Sequence, residues 1–261
     1  MIDMMKKPGL ILVVVIAYFS SYITYAQTSD LKEELAKAQT LARQGNIEGA
    51  SKIYTGIMAN YPDNREAVQN WLAINMKRSA IGDVGVIKQL EELEKSYPNN
   101  TVILFLKSFL QSQFKQYDAA LTGFEKLTTL QPDSVVNWIG KGQILSYMDR
   151  NEEALEAFKK AAALDPKRMD VWSMQADILS SLGRYDEAIS MLDKTVELSP
   201  DFSPNIYNRA CMYCLKGDKA NALADLKRAI SLNPRLKTYA AKDEDFKSLW
   251  DDEDFKSITS Q

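Results

Sequence analysis

The chain has 261 residues and a formal net charge of −3, and 46% of its residues are hydrophobic while 26% are charged. This balance is typical of a folded globular protein and excludes a disordered chain. The sequence has no histidine, which excludes histidine-based nucleophilic catalysis and zinc sites with histidine ligands. The negative charge argues against nucleic acid as a partner, and no pattern predicts a cofactor or a metal site.

The first predicted element is a targeting segment, residues 1–26. Lys6 and Lys7 precede the apolar run 10–19, and Ala26 precedes a polar stretch. A basic start, a short apolar core and a small residue are typical of a secretory signal peptide. We therefore expect cleavage after Ala26 and export to the periplasm or envelope of a bacterium. The alternative is an uncleaved anchor, since the 18 residues from Gly9 to Ala26 are only slightly fewer than the roughly 20 that span a bilayer.

A series of prolines divides the rest of the chain at nearly constant intervals of 36, 34, 34, 34 and 34 residues. Proline cannot continue a helix and restrains the residue before it, so each one indicates the end of a helical unit. The six positions are Pro62, Pro98, Pro132, Pro166, Pro200 and Pro234.

Residues of two further types recur at fixed distances before these prolines. Twelve residues before each proline stands a small residue in five of six cases: Ala50, Val86, Ala120, Ala154, Ala188 and Ala222. Eight residues before each proline stands a large apolar one: Tyr54, Leu90, Phe124, Phe158, Leu192 and Leu226. Small residues let two helices approach closely, and large ones fill the space between them, which makes accidental periodicity improbable.

A period of 34 residues with these columns resembles the tetratricopeptide-repeat family over residues 31–234. The resemblance implies an all-α, right-handed α-solenoid of about six helix–turn–helix units across residues 27–234. The second unit departs from the pattern, with two extra residues near 81–85 and Val86 in place of the small residue. We expect a distorted repeat or a hinge at that place.

The last predicted element is an acidic C-terminal region, residues 235–261. The resemblance implies two short capping helices, in which Phe246, Leu249 and Phe255 cover the open apolar face of the last repeat. Seven carboxylates lie between Asp243 and Asp254, but their spacing does not match a calcium-binding EF-hand loop. We interpret them as solvated acids near helix N-termini, where the helix dipole favours negative charge.

By the same resemblance, the first helix of each unit lines a concave groove that binds a segment of another protein. The side chains expected there grade from apolar to polar along the chain. The lysine-and-asparagine clamp, with which some family members hold a free carboxylate, is absent from the matching positions. The predicted groove residues are Phe105, Phe109, Gln113, Gln143, Tyr147, Ser173, Asp177, Tyr207, Cys211 and Cys214.

The two cysteines, Cys211 and Cys214, resemble a redox dithiol in spacing only. Such pairs sit at a helix N-terminus, where the dipole lowers the thiol pKa, whereas these two lie in the middle of a predicted helix. Cβ atoms three residues apart on a helix are about 5–6 Å apart, and a disulfide needs about 3.5–4.5 Å. We interpret them first as small groove residues, second as a strained disulfide and last as a redox or metal site.

The sequence therefore predicts a non-catalytic scaffold or adaptor in the cell envelope, with a protein partner such as an envelope or outer-membrane complex. Membrane contact is expected only through an uncleaved N-terminal segment, and the oligomeric state is left open. Two alternatives are a holdase that binds unfolded exported chains and a self-associating structural protein. A third is a carboxylate hydrolase using Asp170 and Asp177, whose seven-residue spacing places them about 10 Å apart on one helix face.

Overall fold

The computed structural model describes residues 29–62, 64–80 and 85–260. The predicted signal peptide lies outside these residues, as does most of the predicted irregularity near 81–85. All regular structure in the described part is helical, so the predicted all-α fold is confirmed. In chain order the helices are α1 (Ser29–Arg43), α2 (Ile47–Asn60), α3 (Arg65–Ala80), α4 (Gly85–Ser96), α5 (Thr101–Gln113), α6 (Tyr117–Leu130), α7 (Val135–Tyr147), α8 (Asn151–Leu164), α9 (Met169–Ser181), α10 (Tyr185–Leu198), α11 (Ser203–Lys216), α12 (Lys219–Leu232), α13 (Leu236–Ala240), a 3₁₀ helix (Glu244–Leu249) and α14 (Glu253–Thr259).

The six prolines of the series fall between consecutive helix pairs, as the sequence predicted. Pro132, for example, lies between the end of α6 at Leu130 and the start of α7 at Val135. Each of the six predicted units accordingly contains two helices, from α1 and α2 in the first to α11 and α12 in the sixth. No described helix has both the length and the apolar character that crossing a bilayer requires.

The chain divides into two compact units, which in the described residues comprise 29–149 and 150–260. In the compact unit 29–149, consecutive helices pack against each other. The recurring small residues and large apolar residues form the core between these helices. Ala50 and Ala120 are buried, as are Tyr54 and Phe124 beside them. Asn100 caps α5 by accepting hydrogen bonds from the backbone N–H groups of Val102 and Ile103. Its side-chain amide also donates to the Met58 carbonyl at the end of α2, which fixes α5 against the first pair.

The compact unit 150–260 repeats this packing in α8 to α12, and it also has a network of ion pairs that connects three of its helices. Arg209 on α11 bonds Asp193 on α10 through Nη1 at 2.7 Å. It also binds both carboxylate oxygens of Asp225 on α12, at 2.7 and 3.0 Å. Arg209 and Asp225 are largely buried. One guanidinium therefore holds three helices in register.

The turns inside the units share one backbone conformation with the same 34-residue period. Lys115, Asp149, Gly183 and Gly217 all have positive φ, between 58° and 90°. Glycine adopts this left-handed conformation at little cost, whereas other residues lose about 1–2 kcal/mol. The recurrence at Lys115 and Asp149 shows that the repeat geometry, and not the local residue, determines the turn.

The C-terminal cap consists of three short helices, α13, the 3₁₀ helix and α14, where two were expected. The 3₁₀ helix and α14 carry the same six residues, DEDFKS, at 243–248 and 252–257. Asp243 and Asp252 cap their helices by accepting backbone N–H groups two residues later. Phe246 and Phe255 are buried with their ring centroids 5.6 Å apart. The cap packs on α11 and α12, as expected for its apolar residues.

Candidate protein-interaction surface

The ten predicted groove residues all lie on the first helices α5, α7, α9 and α11. Gln113 is exposed and Tyr147 is half-buried. The remaining eight are buried, which the periodicity alone did not indicate. Their role in binding a partner stays a prediction. The structure divides nine of them into three groups with different surroundings, and Gln113 lies outside all three groups.

The first group surrounds a narrow cleft between α5 and α7, with α6 at its floor. Four predicted residues meet here, Phe105, Phe109, Gln143 and Tyr147. The other lining residues are Ser112, Phe124, Gly140 and Ile144, and no charged side chain is among them. The empty space in and above the cleft is about 300 Å³. Its enclosed part has room for about one water molecule.

The floor of the cleft depends on a close approach between α6 and α7. A Cβ atom at Gly140 would lie 2.2 Å from Cε1 of Phe124, so only glycine leaves room for this ring. Phe105 meets the same ring edge to face, with centroids 5.8 Å apart. The floor is therefore apolar and closely packed. The column eight residues before each proline indicated Phe124 as a packing residue, but no sequence signal indicated the contact with Gly140.

The polar atoms of the cleft are few. The Ser112 hydroxyl already donates to the Phe109 carbonyl at 2.7 Å. Gln143 is 7% exposed, and its side chain makes no hydrogen bond with any residue in the described ranges. Tyr147 lies at the rim, stacked on Tyr117 with ring centroids 5.5 Å apart. The Gln143 amide is thus the polar group that the chain itself leaves open to a ligand in this cleft.

The second group is on α9, in the other compact unit. Ser173 and Asp177 are both buried. Asp170, considered as one half of a catalytic carboxylate pair, is bound by Arg168 at 3.0 and 2.5 Å and also accepts the Val171 N–H. Both oxygens of the Asp170 carboxylate are therefore already engaged by Arg168. The structure therefore gives the hydrolase alternative no support.

The third group corrects an expectation. Tyr207, Cys211 and Cys214 were expected to line an open groove, but the protein's own cap covers them. The Tyr207 hydroxyl donates to Asp243 at 2.7 Å, and its ring packs on Phe246. The sulfur of Cys214 lies 3.3 Å from the Ser248 hydroxyl. The sequence could not show this, because the cap residues are about 35 positions away and only folding brings them onto α11.

Burial changes the acid–base properties of this group. Burial raises the pKa of the Cys211 thiol well above its ordinary value, and a hydrogen bond to Asp245 adds to the effect. Burial likewise raises the pKa of Tyr207, strengthened by the nearby Cys211 and the bond to Asp243. Both cysteines are free thiols, and burial raises the pKa of Cys214 as well. Since a reactive thiol requires a lowered pKa, the structure supports no redox role.

One set of side chains has the composition of a cation site. Ligand atoms of Cys211, Asp243 and Asp245 lie within 4.8 Å of one another. Their atoms already have partners, since Asp243 accepts the Tyr207 hydroxyl and the Asp245 N–H. Burial raises the pKa of the Cys211 thiol, which disfavours the thiolate form that a metal would bind. The cluster is therefore best described as the hydrogen-bonded contact between α11 and the cap.

Comparison with protein families identifies the repeats directly. Residues 147–208 and 204–236 each match a family model described as tetratricopeptide repeat. The chain therefore contains tetratricopeptide repeats in this region, and no enzymatic family is indicated. Comparison with curated proteins gave no match.

Several solved structures have folds similar to this one. The MamA protein is 22% identical, with 66% of this chain and 94% of that one covered at a TM-score of 0.57. YrrB, a tetratricopeptide-repeat protein "with an unusual peptide-binding site", is 17% identical, with 69% and 92% covered at 0.55. A tetratricopeptide-repeat protein from Parabacteroides merdae is 18% identical, with 87% and 96% covered at 0.56. These similarities confirm the predicted fold class, a solenoid of tetratricopeptide-type helix pairs, and they show the fold alone.

Proposed function

We propose that this protein is a non-catalytic scaffold or adaptor that binds a segment of another protein on the first-helix surface of residues 29–149. The observation that carries the proposal is the cleft between α5 and α7, where four predicted groove residues meet around an amide with no internal hydrogen bond. Tetratricopeptide-repeat proteins in general bind protein partners. The solved structure of YrrB is described as having a peptide-binding site, which supports a peptide-binding use of this fold.

We place the protein, also as a proposal, in the bacterial cell envelope. The support is the sequence of residues 1–26, with its basic start and apolar core. Intact-mass measurement of the protein from its host tests this directly. A mature chain that begins at Gln27 would establish cleavage after Ala26, an intact chain in the membrane fraction would favour the anchor, and an intact chain in the soluble cytosol would contradict export.

Partner capture from the host tests the proposed function. A tagged full-length protein is cross-linked in cells and purified, and the bound proteins are identified by mass spectrometry. Tyr147→Ala removes a half-buried ring at the rim of the cleft, and Tyr61→Ala is the matched control, since Tyr61 is 45% exposed at the end of α2. We expect a stoichiometric partner that Tyr147→Ala loses and Tyr61→Ala retains.

Other results would contradict the scaffold proposal. Many exported proteins in substoichiometric amounts, together with suppressed aggregation of a model substrate, would indicate a holdase. A concentration-dependent mass in light scattering, with no other protein bound, would indicate self-association. If both variants retain the partner equally, the cleft is not the binding surface.

A further inference from the structure

We propose that the cleft between α5 and α7 takes one aliphatic side chain of an uncharged segment of the partner, and that the Gln143 amide binds the backbone of this segment. The inference rests on the proposed function and specifies the chemistry of the partner. It is carried by three features of the cleft, namely its lining, its size and its one open polar group.

The lining excludes a charged anchor. None of the eight lining residues is ionisable near neutral pH. A carboxylate or ammonium group that entered would lose its hydration and find no opposite charge, so its entry is unfavourable. An apolar side chain has no charge hydration to lose, and its entry removes apolar surface of Phe105, Phe109 and Ile144 from water.

The size of the cleft favours an aliphatic over an aromatic anchor. The enclosed part has room for about one water molecule, which suits the tip of a leucine or valine side chain. A phenyl ring would need the floor to move. The floor cannot move cheaply, because the Phe124 ring lies directly against the backbone of Gly140 and meets Phe105 edge to face.

Gln143 supplies the polar recognition. Its side chain makes no hydrogen bond in the described part of the chain. The residue is only 7% exposed, but its amide is not among the fully buried polar atoms that lack a partner, so the amide keeps some contact with solvent and is available to a ligand. The amide offers both an acceptor and two donors, which match the N–H and C=O groups of one peptide unit. Ser112 has no donor left for a peptide carbonyl, because its hydroxyl donates to the Phe109 carbonyl and also accepts from the Gln113 side chain.

A peptide titration of the full-length protein tests the inference. The probes are blocked nine-residue glycine–serine peptides with one central residue, leucine, phenylalanine, glutamate or lysine, followed through the NMR signals of the Ile144 methyl groups. We expect the leucine peptide to bind most tightly and the charged peptides at least about tenfold more weakly, given the cost of burying an unpaired charge.

Two variants isolate the role of the amide. Gln143→Met keeps the length of the side chain and removes its hydrogen bonds, so the leucine peptide is expected to bind about three- to tenfold more weakly. Gln44→Met makes the same change at an exposed position between α1 and α2, outside the cleft lining and the predicted groove residues, and this variant is expected to bind the leucine peptide as tightly as the wild type. Circular dichroism verifies that both variants are folded.

Equal binding of the leucine and glutamate peptides, no effect of Gln143→Met, or no binding of any peptide would each overturn the inference. If capture from cells still finds a partner that depends on Tyr147, the proposed function stands and only its chemistry is wrong. If the leucine peptide binds as expected but no cellular partner is found, the proposed function fails instead. Stronger binding of a peptide of residues 10–19, or dimer dissociation by the leucine peptide, would show that the occupant is the protein's own chain and not a partner.

Discussion

At the scale of single residues, Arg209 stabilises the compact unit 150–260 by pairing with carboxylates on two other helices. Its hydrogen bonds to Asp225 and Asp193 raise its pKa, so it remains charged at any ordinary pH. Asp225 is 8% exposed, and without Arg209 its charge would be buried unpaired. This arrangement differs from the exposed ion pairs of the same chain, which water screens.

We expect Arg209→Met to lower the free energy of unfolding by about 2 kcal/mol, because it removes charge-assisted bonds and leaves a buried carboxylate. Arg184→Met is the control. Arg184 pairs with Glu187 and Glu152 at the surface, and its loss should leave stability nearly unchanged. Urea unfolding of both variants measures the difference. Equal changes in the free energy of unfolding would show that the ion pairs of Arg209 stabilise the protein no more than those of Arg184.

The buried thiol and phenol under the cap predict the response to alkaline pH. The ordinary pKa values of Cys211 and Tyr207 are 9.0 and 10.0, and both are raised in the folded protein. Above about pH 9 the unfolded chain therefore loses protons that the folded chain retains. The folded state then binds more protons, so the free energy of unfolding falls as the pH rises.

Unfolding measured from pH 7 to 10.5 checks this expectation. The double variant Cys211→Ala, Tyr207→Phe should show a shallower fall than the wild type, since it removes both groups. Other titrating groups, such as the surface lysines, contribute equally to both proteins. Identical slopes would mean that the cap does not exclude water from these side chains.

At the scale of elements, helix pairs pack closely wherever a small residue repeats. Ala50, Ala120, Ala154, Ala188 and Ala222 are all fully buried. Gly140 is a stricter case of the same rule, because α7 approaches the Phe124 ring of α6 more closely than any side chain permits. This contact shapes the cleft, so the packing of two elements determines the binding surface.

Gly140→Ala should destabilise the protein by about 1–3 kcal/mol, the usual cost of overpacking a core. The control is Gly56→Ala in α2, where a Cβ atom meets nothing within 4 Å. There the substitution should stabilise by about 0.5–1 kcal/mol, because alanine favours the helix. Chemical denaturation gives both values, and a neutral Gly140→Ala would show that Phe124 can move aside.

At the scale of the whole molecule, repeats contact mainly their neighbours, so a local defect is expected to stay local. Phe246 in the cap is fully buried against Tyr207. Phe246→Ala should cost about 3–5 kcal/mol in its surroundings. We expect faster amide hydrogen exchange in α11, α12 and the cap, and unchanged exchange in α2 and α5.

Phe202→Ala is the control for this measurement, since Phe202 is 43% exposed and its loss should alter exchange very little. Loss of protection across all helices in the Phe246→Ala protein would instead mean that the chain unfolds as one cooperative body. The same experiment reports on the thiols, because Cys211 and Cys214 should react with a thiol reagent once the cap opens.

Much of the fold was predictable, because repeats encode their packing locally. The prolines, the small residues and the large apolar residues recur every 34 positions, and each column has one structural role. Phe246, Leu249 and Phe255 were likewise recognisable as cap residues. The number of cap helices was not, since two copies of a six-residue motif form one 3₁₀ helix and one α-helix.

The sequence by itself determined the helical repeat, the positions of the first helices and the absence of histidine chemistry, since these depend on residue type and spacing. Only the tertiary structure decided which first-helix residues meet. It gathers Phe109, Gln143 and Tyr147 around one cleft and places Tyr207 and Cys211 beneath the cap. The physical reason is that helical periodicity specifies which face of a helix a residue occupies, whereas the neighbour on that face is chosen by packing between segments distant in the chain.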